Sequence, residues 1–376
     1  MLQFGGDFMK IALVSGFLND HLLPICEELN KKCEFQFIAT QDLSQNPQQY
    51  KQELTRPYVT KAYTDKSAAE SIVQTYDVVI FGGSSDQLLA LRKKTGKISF
   101  VYTERFFKKG SFRRFIPTTR KTLNKRFIEN NENLYVLCSG SFVAKDLKLI
   151  GFDTNKCFKF GYFPKTQNLA FEELLQKKAS EKLQLLFVGR LLKLKRAIDT
   201  LKCCEKLKNA NINFELYIIG DGPQRRFLED YAKKHGLSNV CFLGSKNKDE
   251  VLEYMQQSHL CFVNSNRMEG WAAVINEAMS QACPVIASNT CGATAYLIND
   301  GANGFSYKVG NIKDLYNKAS IFANSKNKAD FYQNAFSTIS NEWNATVAVE
   351  RFLNLSNAIM QAKDTDVYTD GPLSHT

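Results

Sequence analysis

Gly189-Arg190 and Lys195-Arg196 gather fixed positive charge directly after the apolar run Leu185-Leu186-Phe187-Val188. Such a run reads as a buried strand, so these cations stand at a strand's carboxyl end, where the next helix begins. A helix N-terminus favours anions. Arg grips phosphate oxygens bidentately and Lys acts as a point charge, so a diphosphate is the ligand that suits them. A solvated basic turn is the plain alternative. Downstream, Glu269-Gly270-Trp271-Ala272-Ala273-Val274-Ile275-Asn276-Glu277 follows the apolar run 260–263. Read as a loop entering a helix, it places Glu269 before the first turn, Gly270 to Val274 in that turn with free backbone amides, and Glu277 further along the helix. Two carboxylates so spaced can each accept from a hydroxyl of a polyhydroxylated ligand, although ordinary surface carboxylates are common on helices.

Other stretches carry weaker signals. Gly220-Asp221-Gly222-Pro223 follows the apolar run 214–219. It opens like a dinucleotide fingerprint, but Pro223 follows the second glycine and Arg225 fills the third glycine's place, so that reading is rejected. Asp221 capping a helix opened by Pro223 is the simpler expectation. Near the start, Ser15-Gly16-Phe17-Leu18-Asn19-Asp20-His21 follows another apolar run, which puts His21 at a strand end near a helix start; a lone His is more often structural. Thr103-Glu104-Arg105 stands in the same position after 98–102, with an ion pair to a nearby Arg or Lys as its plain reading.

The elements that must position these residues alternate strand with helix over 376 residues, the pattern of a doubly wound α/β protein. Strands are expected at 11–15, 35–40, 78–81, 98–102 and 134–138, then at 185–188, 214–219, 240–243, 260–263 and 285–287. Their unbroken apolar character fits parallel strands buried on both faces. The intervening helices of the second half fall near 195–208, 223–235, 248–257 and 272–282. The polar stretch 165–182 marks a boundary between a first domain, 1–165, and a second, 183–343. A last helix at 344–362 has too many apolar residues for an exposed one and is expected to return to the first domain. Residues 363–376, with Gly371, Pro372 and Ser374, read as a flexible tail. Two such domains facing across a cleft would bring the strand carboxyl ends together, where ligands of open α/β sheets bind.

Composition excludes several classes. The 28 Phe and 15 Tyr supply ample apolar surface against disorder, and no 20–50-residue period repeats. No apolar run approaches the roughly 20 residues of a membrane span, and the stretch after Lys10 is read as a first strand rather than a signal peptide. Ten cysteines without a CxxC spacing are expected to be reduced core residues rather than a zinc or disulfide framework. The formal charge of +11 is concentrated. Residues 105, 108, 109, 113, 114, 120, 121, 125 and 126 are all basic, with no acidic residue between 105 and 126. Phe106, Phe107, Phe112, Phe115 and Phe127 are interleaved with them.

The order Gly189-Arg190…Lys195, Gly220-Asp221-Gly222-Pro223, Val240 to Gly244, Glu269 to Glu277, Cys283 to Ala287 and Asn299 to Gly304 resembles glycosyltransferase family 4, in the glycosyltransferase group 1 class, over roughly 185–310. The resemblance implies the GT-B fold, two Rossmann-like doubly wound α/β domains, and retaining transfer from a nucleotide-sugar, with UDP the commonest donor nucleotide. It implies that Arg190 and Lys195 hold the donor diphosphate and that Glu269 binds donor-sugar hydroxyls. The amides of Gly270, Trp271, Ala272, Ala273 and Val274 would meet sugar and phosphate, Glu277 the ribose, and Phe242 and Leu243 the base. Gly189, Gly220 and Gly16 join the donor-binding set. Two positions depart from the family's pattern: Ala272 and Arg196 stand where glycines are usual. His21 and Glu104, on the first domain, are the candidates for contact with the reacting sugar.

No metal or other cofactor is expected, because Arg190, Lys195 and backbone amides already supply positive potential for the leaving diphosphate; Asp364-Thr365-Asp366 lies in the expected tail and is discounted. The acceptor would be a glycan or a lipid-linked sugar of cell-surface polysaccharide (lipopolysaccharide or capsule) or glycolipid synthesis. The protein would then be cytoplasmic, with 105–127 as a contact to an anionic membrane surface on the inner face. The alternatives are a nucleotide-sugar epimerase or a phosphorylase on the same fold, or a nucleic-acid-binding protein, which charge alone supports.

Overall fold

The computed structural model describes residues 9–43, 56–165, 169–366 and 368–376. The chain divides into two compact units, Met1–Lys165 with Asn344–Thr376, and Thr166–Trp343.

The first unit is built on seven parallel strands: β1 (Lys10–Ser15), β2 (Glu34–Ala39), β3 (Val59–Lys61), β4 (Val78–Phe81), β5 (Ser99–Glu104), β6 (Leu134–Ser139) and β7 (Cys157–Phe160). Their order is β3-β2-β1-β4-β5-β6-β7. The chain therefore builds outward from β1 in one direction, crosses back, and builds outward from β4 in the other. Ile11, Ala12 and Val14 of β1 and all of β4 are almost wholly buried, which is why these strands read as unbroken apolar runs. Fully burying a Val, Leu, Ile or Phe side chain is worth about 1.5–3 kcal/mol, so these central strands anchor the unit.

The helix Ala345–Met360 belongs to this unit. Asn344 caps it by accepting from the Val347 amide, and it buries Val349, Phe352, Leu353 and Leu355. Phe352 meets Phe100 of β5 edge-on at 5.0 Å, and Glu350 pairs with Lys32 on the helix Leu23–Lys32.

The residues beyond that helix correct the expectation of a flexible tail at 363–376. The Lys159 amide donates to Ser374 O and the Leu373 amide to Lys159 O, each at 2.8 Å, so the chain end pairs antiparallel with β7. Leu373 is 1% exposed and His375 packs on Phe158 at 4.6 Å. The pairing satisfies the outer edge of the sheet, which would otherwise present unpaired backbone groups.

The second unit has six parallel strands: β8 (Leu183–Val188), β9 (Phe214–Ile219), β10 (Val240–Gly244), β11 (Leu260–Val263), β12 (Val285–Ser288) and β13 (Gly304–Tyr307). Their order is β10-β9-β8-β11-β12-β13, which again reverses beside the unit's first strand. The stretch expected as a polar linker contributes to this unit's core. A short helix, Phe171–Gln176, buries Leu174, and Lys178 donates to the carbonyls of Gln256 and Ser258 at the end of the helix Lys248–Gln257. All ten cysteines are unbridged, and most are buried.

Candidate functional site

In the second unit the site grows from three consecutive strand ends, β9, β8 and β11, which are neighbours in the sheet. Gly220 follows β9, Gly189 follows β8, and the two loops touch backbone to backbone. A Cβ on Gly220 would lie 2.1 Å from Gly189 O, and Gly220 has φ +133°. Only glycine fits there, which brings the Arg190 loop against the Asp221 loop. The Leu191 amide donates to Asp221 O at 2.8 Å across this seam. Asp221 does not cap the following helix, which runs over Arg225–Lys234; its carboxylate instead takes the Gly222 amide and pairs with Arg225.

Lys195 closes the short turn Lys193–Lys195, and its Nζ donates to Glu269 Oε2 at 2.5 Å. Their side chains are 24% and 16% exposed, so the pair sits in a partly dry environment where charge interactions are stronger than in water. The Glu269 amide is tied to Asn266 O, which fixes the carboxylate's loop. Arg190 is exposed, and among the described residues its guanidinium has no protein partner.

Residues 270–273 depart from the expected helical turn. The helix runs Val274–Ser280, and the preceding residues form an irregular loop in which Ala272 has φ +76°. A left-handed residue cannot continue the right-handed turn. The loop is pinned from below: Trp271 is fully buried and its Nε1 donates to Asn276 Oδ1 at 2.7 Å, while Gly270 O and Trp271 O accept from the amides of Gly292 and Ala293. The Trp271 ring thus anchors the loop from the interior. Among the described residues, the amides of Gly270, Ala272, Ala273 and Val274 have no protein acceptor. Glu277 lies half-buried on the helix beyond them.

Arg196 is also left-handed, at φ +51°. Both positions where glycine is the usual residue therefore keep a glycine-like backbone with a side chain added. The Arg196 guanidinium grips Asp199, which is 2% exposed, at 2.7 and 3.0 Å. Those hydrogen bonds push its pKa up. Asn264 braces the same turn by donating to Thr200 Oγ1 at 2.6 Å and accepting from Tyr307 at 3.0 Å. Phe242 packs against the core of the unit, and Leu243 beside it is half-buried in β10.

In the first unit, Ser15, Asn19, His21, Gly82, Gly83, Glu104 and Tyr162 line a cavity of about 260 Å³ at the carboxyl ends of β1, β4 and β5. Asn19 holds the approach to the helix Leu23–Lys32, its Oδ1 accepting from the amides of His21 and Leu22. His21 stacks on Tyr162 at 4.7 Å, and the Tyr162 hydroxyl donates to Glu104 Oε1 at 2.7 Å. Lys108 Nζ donates to the other carboxylate oxygen, also at 2.7 Å. The structure therefore joins His21 to Glu104 through Tyr162, a residue that sequence pattern does not single out because it sits just before Pro164, at the expected boundary. Gly16 follows the lining residue Ser15 and faces the Gln41 side chain, 2.9 Å from where its Cβ would stand.

The basic segment 105–127 is less uniform than its sequence. Lys108 pairs with Glu104, Arg126 with Asp86, and Arg105 lies 4.0 Å from Asp146, so acids from outside the segment answer three of the nine cations. Phe107 and Phe127 are each 1% exposed, and Phe106 packs on the same core, whereas Phe112 and Phe115 are 63% and 70% exposed. Asp364 and Asp366 share one turn, Asp364 Oδ1 accepting from the Asp366 amide.

Residues 171–338 match the family model described as glycosyl transferases group 1, which spans nearly all of the second unit. The resemblance to group 1 glycosyltransferases therefore lies in the second unit. An uncharacterised glycosyltransferase of Methanocaldococcus jannaschii is 35% identical to this chain over 133 residues, which are 35% of this chain and 36% of the relative. The sulfoquinovosyl transferase of Arabidopsis thaliana is 25% identical over 64% of this chain and 46% of its own length. The chain thus spans a third to a half of these curated relatives. Among solved structures, a glycosyltransferase from Rickettsia africae superposes with a TM-score of 0.69, at 17% identity, over 94% of this chain and 99% of its own. Anabaena HepE in complex with UDP and glucose gives 0.63 at 17% identity, over 93% of this chain and all of its own. These likenesses show the fold, GT-B with two Rossmann-like units.

Proposed function

We propose that the protein is a retaining glycosyltransferase of family 4 that moves a sugar from a nucleotide-sugar, a UDP-sugar in the first instance, to a hydroxyl of a glycan or lipid-linked acceptor. The observation that carries this reading is the pairing of Lys195 with Glu269 beside four backbone amides that lack protein acceptors among the described residues, all within the stretch that matches group 1 glycosyltransferases. Lys195 has three donors, so it can keep Glu269 oriented and still offer hydrogens to a diphosphate. Arg190, without a protein partner among those residues, supplies a bidentate grip on the same group.

In the transfer step the bond between the anomeric carbon and the diphosphate oxygen breaks, and negative charge grows on the diphosphate. Lys195, Arg190 and the amides of the 270–274 stretch meet that charge with dipoles already in place. Glu269 accepts from sugar hydroxyls and Glu277 from the ribose. The departing phosphate takes the proton of the acceptor hydroxyl as the new glycosidic bond forms on the same face, so no separate nucleophile is required. Glu104, braced by Lys108 and Tyr162, and His21, stacked on Tyr162, are the first unit's candidates for contact with the reacting sugar. No cofactor is assigned to the step.

Support for the donor comes from the UDP that Anabaena HepE holds in its solved complexes. Support for a cell-surface product comes from the names of matched proteins, which include a capsular polysaccharide biosynthesis glycosyltransferase of Staphylococcus aureus and a lipopolysaccharide outer core galactosyltransferase. Among the described residues no helix is long and apolar enough to cross a membrane. Contact with an anionic membrane on the cytoplasmic face would instead use the turn Ser111–Phe115, where exposed Phe112 and Phe115 flank Arg113 and Arg114. Each Lys or Arg near such a surface gains about 1 kcal/mol, and the two rings add shallow burial.

The anomeric configuration of the released sugar tests the mechanism. NMR of the first product from a UDP-α-sugar should show the α anomer, and an initial β anomer would overturn retention. Sedimentation with anionic and neutral liposomes tests the membrane contact, and equal partitioning to both would remove it.

A further inference from the structure

The first sheet reverses direction between β1 and β4, and ligands of open α/β sheets bind at such a switch point, outside the strand carboxyl ends. The chain leaving β4 there is Gly82-Gly83-Ser84-Ser85-Asp86-Gln87. These six residues contribute lining to three separate cavities. Gly82 and Gly83 line the cavity of His21 and Glu104. Ser84, Ser85, Asp86 and Gln87 line a larger one of about 490 Å³, with Thr40, Tyr63 and Lys66. Asp86 and Gln87 also line a third of about 290 Å³, with Lys121, Thr122, Lys125 and Arg126. Arg126 ties the first and third together, donating to Gly82 O at 2.9 Å while pairing with Asp86.

The chemistry changes along the strip. The middle cavity presents hydroxyls and an amide, groups that exchange hydrogen bonds with sugar hydroxyls, and its two carboxylates, Glu70 and Asp86, are answered by Lys66 and Arg126. The third presents Lys121 and Lys125, four residues apart, whose ammonium groups have no acidic partner among the described residues. Like charges at that spacing repel, so an unanswered pair beside a cavity calls for an anion from outside. The strip is also held under strain. Ser84 has φ +58°, and Thr40 Oγ1 and Gln41 Nε2 fasten it by donating to its carbonyl and hydroxyl oxygens at 2.9 and 2.8 Å. Backbone strain maintained by flanking hydrogen bonds clusters at ligand sites.

We propose that the acceptor is an anionic glycan chain of several residues, laid along 82–87. Its reacting end lies in the His21–Glu104 cavity, its next residues in the Ser84–Gln87 cavity, and a carboxylate or phosphate it carries lies between Lys121 and Lys125. This rests on the transferase reading and names the substrate class for it.

Direct binding to the full chain, without donor, tests the proposal. The probes are a galacturonic acid hexamer, neutral maltohexaose, inorganic phosphate and phosphatidylglycerol vesicles. The charged hexamer should bind about tenfold more tightly than maltohexaose at low salt, with the advantage shrinking as salt rises. The double substitution Lys121→Ser/Lys125→Ser should remove most of that advantage and leave maltohexaose unaffected. Gly83→Val should weaken both hexamers, because a Cβ at Gly83 meets no protein atom within 4 Å and so enters the cavity without disturbing the fold. Equal affinity for the two hexamers, or charged binding that survives the double substitution, would overturn the proposal. So would phosphate binding as tightly as the charged hexamer, or vesicle binding being the only interaction the double substitution removes. Nucleotide release from a donor in the absence of acceptor reports on the transferase reading separately.

Discussion

Lys195 Nζ and Glu269 Oε2, 74 positions apart in sequence, meet at 2.5 Å. Each is needed to orient the other. Replacing either with Ala should lower kcat/KM at least about tenfold, equivalent to about 1.4 kcal/mol of transition-state stabilisation, with the fold retained. The double variant should lose much less than the product of the two single losses, because the groups act as one unit. Steady-state kinetics of the four proteins on one donor checks this, and multiplicative losses would show that the contact is incidental.

Ala272 and Arg196 share a left-handed backbone but should respond to glycine with opposite signs. Ala272→Gly removes a strain of about 1–2 kcal/mol at an entropic cost of about 0.5–1 kcal/mol, so stability should hold or rise by up to about 1.5 kcal/mol. Arg196→Gly relieves similar strain but leaves the buried Asp199 carboxylate without its guanidinium, a loss of about 3–5 kcal/mol that outweighs the relief, so stability should fall. Urea unfolding of both variants reads the two signs.

Lys178 gives the stability a pH signature. Burial pushes its ammonium down to about 8 from a usual value of 10.5. Between those values the folded chain has released the proton while the unfolded chain keeps it. Stability contributed at this residue therefore rises as pH climbs from about 8 toward 10.5, and below about 8 it is flat. Lys93 has the same cause and direction, so the comparison must be made against a variant. The stability of the wild type relative to Lys178→Met should increase between about pH 7.5 and 9.5. A difference independent of pH would contradict it.

The strands were legible in sequence where they are buried on both faces, as in β4 and β8, because an apolar run so short and unbroken suits a central strand better than a helix. Two edge elements were not. Val59-Thr60-Lys61 of β3 is half-buried throughout, and Cys157-Phe158-Lys159-Phe160 of β7 carries a charge at an edge that the chain end covers. That chain end looked flexible because Gly371, Pro372 and Ser374 suggest a loop; the burial of Leu373 against a sheet edge distant in sequence is invisible to composition. In the site, the charged residues and glycines were legible by type and position. The irregular loop at 270–273 was not, since Ala-Ala-Val suits a helix and only tertiary anchoring by Trp271 and the Gly292 turn sets Ala272 left-handed. The brace of Glu104 by Tyr162 joins positions 58 apart, and local pattern carries no trace of it.

Donor chemistry by the second unit can be read directly from nucleotide release. The protein is incubated with a panel of UDP-, GDP- and ADP-sugars, with and without EDTA, and the freed nucleotide is quantified for wild type, Lys195→Ala and Glu269→Ala. Release is expected from at least one donor, UDP-linked in the first instance, undiminished by the chelator and reduced at least about tenfold in both variants. No release from any donor, or release that both variants retain in full, would contradict donor chemistry by the second unit.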